Sequence, residues 1–364
     1  MAGPCLSLAN VKRFLRPTLS GLLVVAIAAS VGLRVPYILM TPGPVFNTIG
    51  TIDDKPVITV SGAKTYRTSG ELNMTTVSEY GGNAGGISLW QAVSGWFSRH
   101  DRVVPREFVY PDDRTREENR QQSAEEYVSS QSYAIAAAMT FLELPVNQAP
   151  VVITVEEGAP AQNKLHAGDI ITAVDGHATK VPGEVVKWVR AAQPGTMLTF
   201  AIVRDGFKRE VKVTTGSRPD DPATAGDEAA QAYIGIAVDA QYTANFDITF
   251  GVDGVGGPSG GLMFTLGLID MLTPESMTGG NVVAGTGTID PDGTVGDIGG
   301  IQQKMVGARS HGAVLFLAPA GNCDDVVGHI PAGLTVASVH TVAEGVAAVE
   351  DFASGLTPTP CAVH

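Results

Sequence analysis

Val252-Asp253-Gly254-Val255-Gly256-Gly257-Pro258-Ser259-Gly260-Gly261 runs without a break into Leu262-Met263-Phe264-Thr265-Leu266-Gly267-Leu268-Ile269-Asp270-Met271-Leu272. The second part is apolar and long enough for a buried helix. The first sets a single serine among glycines at that helix's start, where backbone can approach a substrate closely and unpaired N–H groups can hold an oxyanion. Two readings fit these residues alone. Ser259 is a nucleophile in a glycine cradle, or it only caps the helix in a tight turn.

Composition narrows the choice of function. The chain has 364 residues, 44% hydrophobic and 17% charged, enough for two cored domains or one large one. A net charge of −13 with no long basic run argues against nucleic-acid binding. The seven histidines and three cysteines show neither H-E-x-x-H nor C-x-x-C spacing, so no metal or other cofactor is expected. There is no G-x-x-x-x-G-K-[ST] phosphate loop, so no ATP is expected either.

At the amino end Lys12, Arg13 and Arg16 precede the apolar run Leu19 to Leu33, and after Arg34 apolar sequence resumes to Met40. Fifteen helical residues span only about 22 Å against a hydrocarbon core of roughly 30 Å. Extending the run, with Arg34 reaching to the interface, gives a single-pass transmembrane anchor over 19–40 behind a cytoplasmic tail over 1–18. The alternative is a cleaved signal peptide ending near Ala26-Ile27-Ala28. Both place the bulk of the chain outside the cytoplasm. Cys323 and Cys361 are then free to pair, with Cys5 on the reducing side.

Beyond the anchor, Val57–Val60 and Leu72–Val77 alternate as strands. Residues 87–97 pattern as an amphipathic helix and 124–144 as a second, with Val128, Ala134, Ala137, Ala138 and Phe141 on its packing face. The charged, proline-punctuated stretch 100–124 reads as a surface excursion.

From Val151 the pattern changes. Gly158-Ala159-Pro160-Ala161, Ala167-Gly168-Asp169-Ile170-Ile171 and Val174-Asp175-Gly176 resemble the PDZ family over 148–216, with a helix over 182–192 and strands 197–204 and 210–214. The resemblance implies capture of an extended peptide by strand addition. A Pro/Asp/Ala/Gly linker over 217–231 follows.

The serine stretch is followed by Ala284-Gly285-Thr286-Gly287, then Gly293-Thr294-Val295-Gly296-Asp297-Ile298-Gly299-Gly300-Ile301-Gln302-Gln303-Lys304, then Val314-Leu315-Phe316-Leu317-Ala318-Pro319. In order and content these resemble the proteolytic domain of the Lon family of serine peptidases. With the anchor and the PDZ-like module, the whole resembles membrane-anchored, PDZ-containing Lon-like peptidases. The implied fold is α+β: a Lon-type proteolytic domain split into 54–147 and 232–355, with the PDZ-like module inserted and one transmembrane helix ahead of it. The implied activity is ATP-independent extracytoplasmic serine endopeptidase action on short peptides or small exposed or membrane-tethered proteins. Ser259 is the implied nucleophile, Lys304 its general base, and Thr286, Gly257 and Gly260 support them. Lon-type peptidases form rings, which implies a homo-oligomer.

The pairing has its own chemical logic. Serine needs a base, and lysine serves only when neutral, so its pKa must fall from about 10.4 to near 7, a destabilisation of the ammonium by roughly 4–5 kcal/mol. Apolar Ile298, Ile301, Met305 and Val306 suit that burial. Asp297 must point away, since pairing would raise the lysine pKa. The chain departs from Lon in having Val255-Gly256 where Lon has Lys-Asp, and Gly260 where alanine is usual; Asp253 reads as a turn cap. Two other functions remain open. One is an α/β-hydrolase using the G-x-S-x-G at Gly257 to Gly261 with Asp324 or Asp325 and His329 or His340. The other is a non-catalytic envelope scaffold that binds chain ends through the PDZ-like module.

Overall fold

A computed structural model describes residues 30–82, 85–110, 116–217, 231–252 and 254–362. The chain opens with β1 (Arg34–Val35), β2 (Tyr37–Asn47), β3 (Ile58–Ser61) and β4 (Glu71–Tyr80). Then come β5 (Ile87–Ser88), α1 (Leu89–Phe97), β6 (Arg102–Pro105) and the long helix α2 (Arg116–Phe141). A run of β7 (Val146–Val155), β8 (Ile170–Val174), α3 (Pro182–Ala191), β9 (Met197–Arg204) and β10 (Phe207–Thr214) follows. The last part holds β11 (Ile236–Ala244), β12 (Asp247–Phe250), α4 (Gly261–Leu272), β13 (Val282–Gly285), α5 (Ile301–Ser310), β14 (Leu315–Pro319), β15 (Thr335–Val339) and α6 (Val342–Ala353).

Two sheets organise these elements. The first has the order β15-β14-β13-β4-β2-β6. Its first four strands are parallel, whereas β2 and β6 run antiparallel to their neighbours. β14, Leu-Phe-Leu-Ala-Pro, is buried at every residue, as a parallel strand covered on both faces must be. The β4–β13 register, Glu71↔Val282 to Met74↔Gly285, joins chain segments more than two hundred residues apart. β3 and β12, also distant in sequence, pair antiparallel. One apolar core accordingly mixes Val57, Leu72, Ala134 and Met139 with Leu262, Phe264, Leu317 and Val349. The second sheet, β10-β9-β8-β7-β11, is antiparallel and closes over its own core of Leu165, Ile171, Val174, Val189, Phe200 and Ile202.

The Ala-Gly-Asp turn of that second unit is fixed by charge. Asp169 is fully buried, receives both Nε and Nη2 of Arg204 at 2.6 Å, and accepts the His166 N–H at 2.8 Å. α4 lies at the centre of the first unit and is buried from Gly261 through Asp270, so it is enclosed on all sides rather than amphipathic, with Thr265 and Asp270 as its buried polar residues. A disulfide joins Cys323 to Cys361 with Cα atoms 5.1 Å apart. It ties down the carboxy-terminal tail, which also bridges to β15 at Ala337↔Pro360.

Several sequence expectations need correction. Residues 34–40 are strand rather than membrane helix, because Pro36 forces extended backbone and Ile38 is buried opposite Val104 in the sheet. Among the described residues no helix is long and apolar enough to cross a membrane. The expected span over 19–29, the tail over 1–18, Cys5, Asp253 and the linker core 218–230 lie outside them. Strand pairing therefore starts at Arg34, ahead of residue 54. The stretch 100–124 is not a simple excursion: it holds edge strand β6 and the first turns of α2. Val128 and Phe141 point outward, leaving the alanines of α2 to pack.

Candidate active site

Ser259 sits in the turn just ahead of α4, and its neighbours hold the turn in place. The Ser259 carbonyl accepts the Gly287 N–H at 2.9 Å and the Thr286 hydroxyl at 3.0 Å. The Gly257 N–H donates to the Ser123 carbonyl of α2 at 2.8 Å, and Gly257 takes φ +81, a left-handed conformation open to glycine. Tyr127, one turn further along α2, donates its hydroxyl to the Val252 carbonyl at 3.2 Å and packs its ring against Phe264. Ser123 and Tyr127 are site-building residues that sequence reasoning misses, since nothing in helical spacing tells a buried tyrosine that packs from one that braces a loop.

Lys304 reaches the turn from α5. Gly300 begins that helix at φ +71, and a side chain there would drive into Val77. α5 lies on β2 and β4 and buries Ile301, Met305 and Ala308. Lys304, on the same stretch, is 3% exposed. Its Nζ lies 2.8 Å from Ser259 Oγ and 2.8 Å from Thr286 Oγ1. Burial alone pushes its pKa down to about 7. Among the described residues no carboxylate pairs with it, and Asp297 is exposed.

This arrangement assigns the protons. The single Thr286 hydroxyl hydrogen is directed at the Ser259 carbonyl, so toward Lys304 its oxygen can only accept. A neutral amine has two hydrogens and one lone pair. With one hydrogen on Thr286, the neutral amine can turn either its second hydrogen or its lone pair to Ser259 Oγ, and the latter is the orientation a general base needs.

The predicted residues Ser259, Lys304 and Thr286 are thus brought together, while Gly257 and Gly260 divide. Gly257 uses its N–H on Ser123. Among the described residues the N–H groups of Ser259 and Gly260 have no acceptor, so these two can receive an oxyanion. A cleft of about 700 Å³ opens over the serine, between the glycine loop Gly254–Gly260 and the Thr75–Tyr80 segment of β4. Neither His329 nor His340 hydrogen-bonds Ser259; His340 Nδ1 lies 3.0 Å from Glu344 instead. Among the described residues no group of three or more His, Cys, Asp or Glu side chains is placed to hold a metal.

Residues 122–215 match the family model of the PDZ domain, and residues 251–350 that of the Lon protease (S16) C-terminal proteolytic domain. The chain thus carries a PDZ domain and a Lon-type serine-protease domain, the pairing of PDZ-containing Lon-like serine peptidases. Shorter similarities accompany these matches. A probable periplasmic serine endoprotease, DegP-like, of Pseudomonas fulva is 36% identical over 88 residues, which is 24% of this chain and 18% of that protein. Its counterpart in Halomonas elongata is 33% identical over 85 residues, 22% of this chain and 18% of that protein. The chain thus spans under a fifth of the length of these curated relatives. Among solved structures, the PDZ domain of the SdrC-like protein of Listeria innocua is 24% identical, covering 25% of this chain and 92% of that one with a TM-score of 0.21.

The PDZ unit has a groove of its own, about 230 Å³, between α3 and the segment Tyr233-Ile234-Gly235-Ile236. Val185, Val186 and Val189 form one wall, and β11, an edge strand of the sheet, the other. Most of this groove's lining lies outside the matched PDZ residues 122–215. Read in sequence, Tyr233–Ile236 is only a strand leading to the serine; its place against α3 emerges from the fold.

Proposed function

We propose that the protein is an ATP-independent serine endopeptidase working outside the cytoplasm, with Ser259 as nucleophile and Lys304 as general base. The observation that carries the reading is a buried lysine without a counter-ion, 2.8 Å from a hydroxyl in a glycine turn. Neutral Lys304 takes the Ser259 proton as Oγ bonds to the substrate carbonyl carbon, and the oxyanion is received by the N–H groups of Ser259 and Gly260. The C–N bond breaks, and the departing amine takes the proton back from Lys304. Water then attacks the acyl ester, giving its proton to Lys304, and Ser259 leaves with that proton restored.

Substrate is proposed to lie extended in the cleft. Beyond Met74, β4 has lost β13 as a neighbour, so on that side Thr76–Tyr80 has no strand partner among the described residues. A peptide can add there as a strand and pass its carbonyl over Ser259. Short peptides, unfolded termini and small membrane-tethered proteins fit such an open cleft. The PDZ groove is proposed to recruit them by pairing an extended chain end with β11 against the α3 valines. A single-pass anchor and a ring of identical subunits belong to the same proposal.

The test is peptide-library hydrolysis by the full chain against its Ser259→Ala form. Hydrolysis lost in the variant, with unchanged circular dichroism, supports the reading. Hydrolysis that survives Ser259→Ala but is lost in His340→Ala would sink it in favour of a histidine-based hydrolase. No hydrolysis at all, with binding of chain ends retained, would favour a scaffold.

A further inference from the structure

α1 and the turns around it present large apolar side chains to solvent. Phe97 is 86% exposed, Phe108 78%, Trp96 55% and Trp90 52%. An isolated surface Leu needs no explanation, but four aromatic rings on adjoining segments do. These segments are bound to the start of the described chain. Leu89 donates its N–H to the Leu33 carbonyl at 2.8 Å, β1 pairs with β5, and Arg106, opening the short turn that ends at Phe108, donates to the Pro36 carbonyl at 3.0 Å. Tyr37 meets the Trp96 ring edge-on. Val31 and Leu33, both more than half exposed, close the apolar run that begins at Leu19.

Charge at this place departs from that of the molecule. The chain carries −13 overall, yet Arg34, Arg99 and Arg102 are exposed here; the carboxylates of the described stretch 87–110 are Asp101 and Glu107, and nearby Glu79 is taken by the Tyr110 hydroxyl. At the end of α1 the surface sinks into a cleft lined by Arg99, His100, Arg309 and His329. Tryptophan and phenylalanine beside arginine, on a short helix lying along the surface, is the pairing found where proteins rest on a lipid headgroup layer. Wherever the Leu19–Leu33 run enters a bilayer, the Leu33–Leu89 backbone bond keeps the start of α1 next to that point.

We propose that the face formed by α1, the Phe108 turn and the Arg99 cleft is a bilayer-docking surface, seating its aromatic rings among anionic headgroups and acyl ends. The inference rests on the anchor in the function proposed above. It adds that the peptidase unit lies against the membrane, rather than hanging from it on a free tether.

The experiment uses the full chain reconstituted in phosphatidylcholine–phosphatidylglycerol vesicles whose acyl chains are brominated. Three forms each retain one tryptophan, Trp90, Trp96 or Trp188, with the others replaced by phenylalanine. Trp188 stacks on His177 in the PDZ unit and reports a place away from the proposed contact. Quenching of Trp90 and Trp96 by about twofold, with Trp188 unchanged, is the expected result. Loss of that quenching in Phe97→Asp with flotation kept, or its weakening when phosphatidylglycerol is omitted, strengthens it further. Vesicles that carry the protein on flotation while Trp90 and Trp96 stay unquenched would overturn the docking surface and leave the anchor standing. Unquenched rings whose emission follows protein concentration would give the face to a second copy. Failure to float would remove the anchor and the docking surface together.

Discussion

The two units of this protein each bury an ionisable side chain, and they treat it in opposite ways. In the PDZ unit Asp169 is met by a two-pronged guanidinium and a backbone N–H, so its charge is fully answered. In the Lon-type unit Lys304 is equally dry but meets only two hydroxyls. The paired charge holds a turn. The unpaired one is held with its pKa near neutrality, the state a general base would need, whereas buried Asp270 of the same unit answers only the Met277 N–H and lies in the interior of α4. The contrast also separates two kinds of motif: A-G-D marks a buried ion pair, and I-G-G-x-x-x-K a buried amine without a counter-ion.

The widest gap between the two sites should appear in catalysis. Lys304→Ala should lower peptide hydrolysis by about 10⁴-fold or more, because serine without a base is a poor nucleophile. Substitutions at Asp169 leave the chemistry intact. A Lys304→Ala form with activity within tenfold of the parent, measured by burst and steady-state kinetics, would erase the distinction.

The same lysine should set a stability slope with pH. Its folded pKa, about 7, lies below the unfolded value, so between about 7 and 10.4 the unfolded chain binds the extra proton. The penalty is fully present below about pH 7 and is relieved as pH rises toward 10.4, by roughly 4–5 kcal/mol in all. Lys304→Met should flatten that slope and be more stable than the parent at pH 6, as denaturant unfolding would measure. Hydrolysis should rise through about pH 7 and level off as the amine loses its proton. A slope unchanged by Lys304→Met would mean that the amine stays charged.

How much of this was legible beforehand follows the physics of each element. Ser259, Lys304 and Thr286 stand in linear motifs, so their meeting could be anticipated. The order of segments implied that 54–147 and 232–355 form one split unit, but the parallel pairing of Leu72 with Val283 was not legible, since Leu72–Val77 alternates rather than running apolar. What remained hidden was made by tertiary contact. The Gly257 N–H is claimed by the Ser123 carbonyl, which leaves the oxyanion to Ser259 and Gly260. Residues 34–40 are apolar enough for a membrane, yet Ile38 is buried in a sheet that composition cannot reveal. The PDZ groove borrows its second wall from a segment beyond the unit's own signature.

The comparison can be inverted by making Asp169 resemble Lys304. Arg204→Met leaves a fully buried carboxylate without its cation, which should cost roughly 3–5 kcal/mol, read as a lowered midpoint of the PDZ transition in denaturant. The serine turn shares no bond with this pair, so hydrolysis of short peptides should persist below that midpoint. Equal loss of folding and hydrolysis would show that β11, shared between the PDZ sheet and the approach to Ser259, makes the two units one cooperative body.

The mildest change sharpens the site itself. Thr286→Val keeps the shape of a fully buried residue but removes the oxygen that accepts a hydrogen from Lys304 and the hydrogen that steadies the Ser259 carbonyl. Losing such a bond should reduce kcat by about 10–100-fold, corresponding to roughly 1.5–3 kcal/mol, with KM changed less. The acceptor on Thr286 favours the ammonium over the free amine, so its removal should move the rise in activity to lower pH. A structural role alone would lower activity without moving that midpoint. The direction of the shift therefore tells an aimed lysine from one that merely fills space.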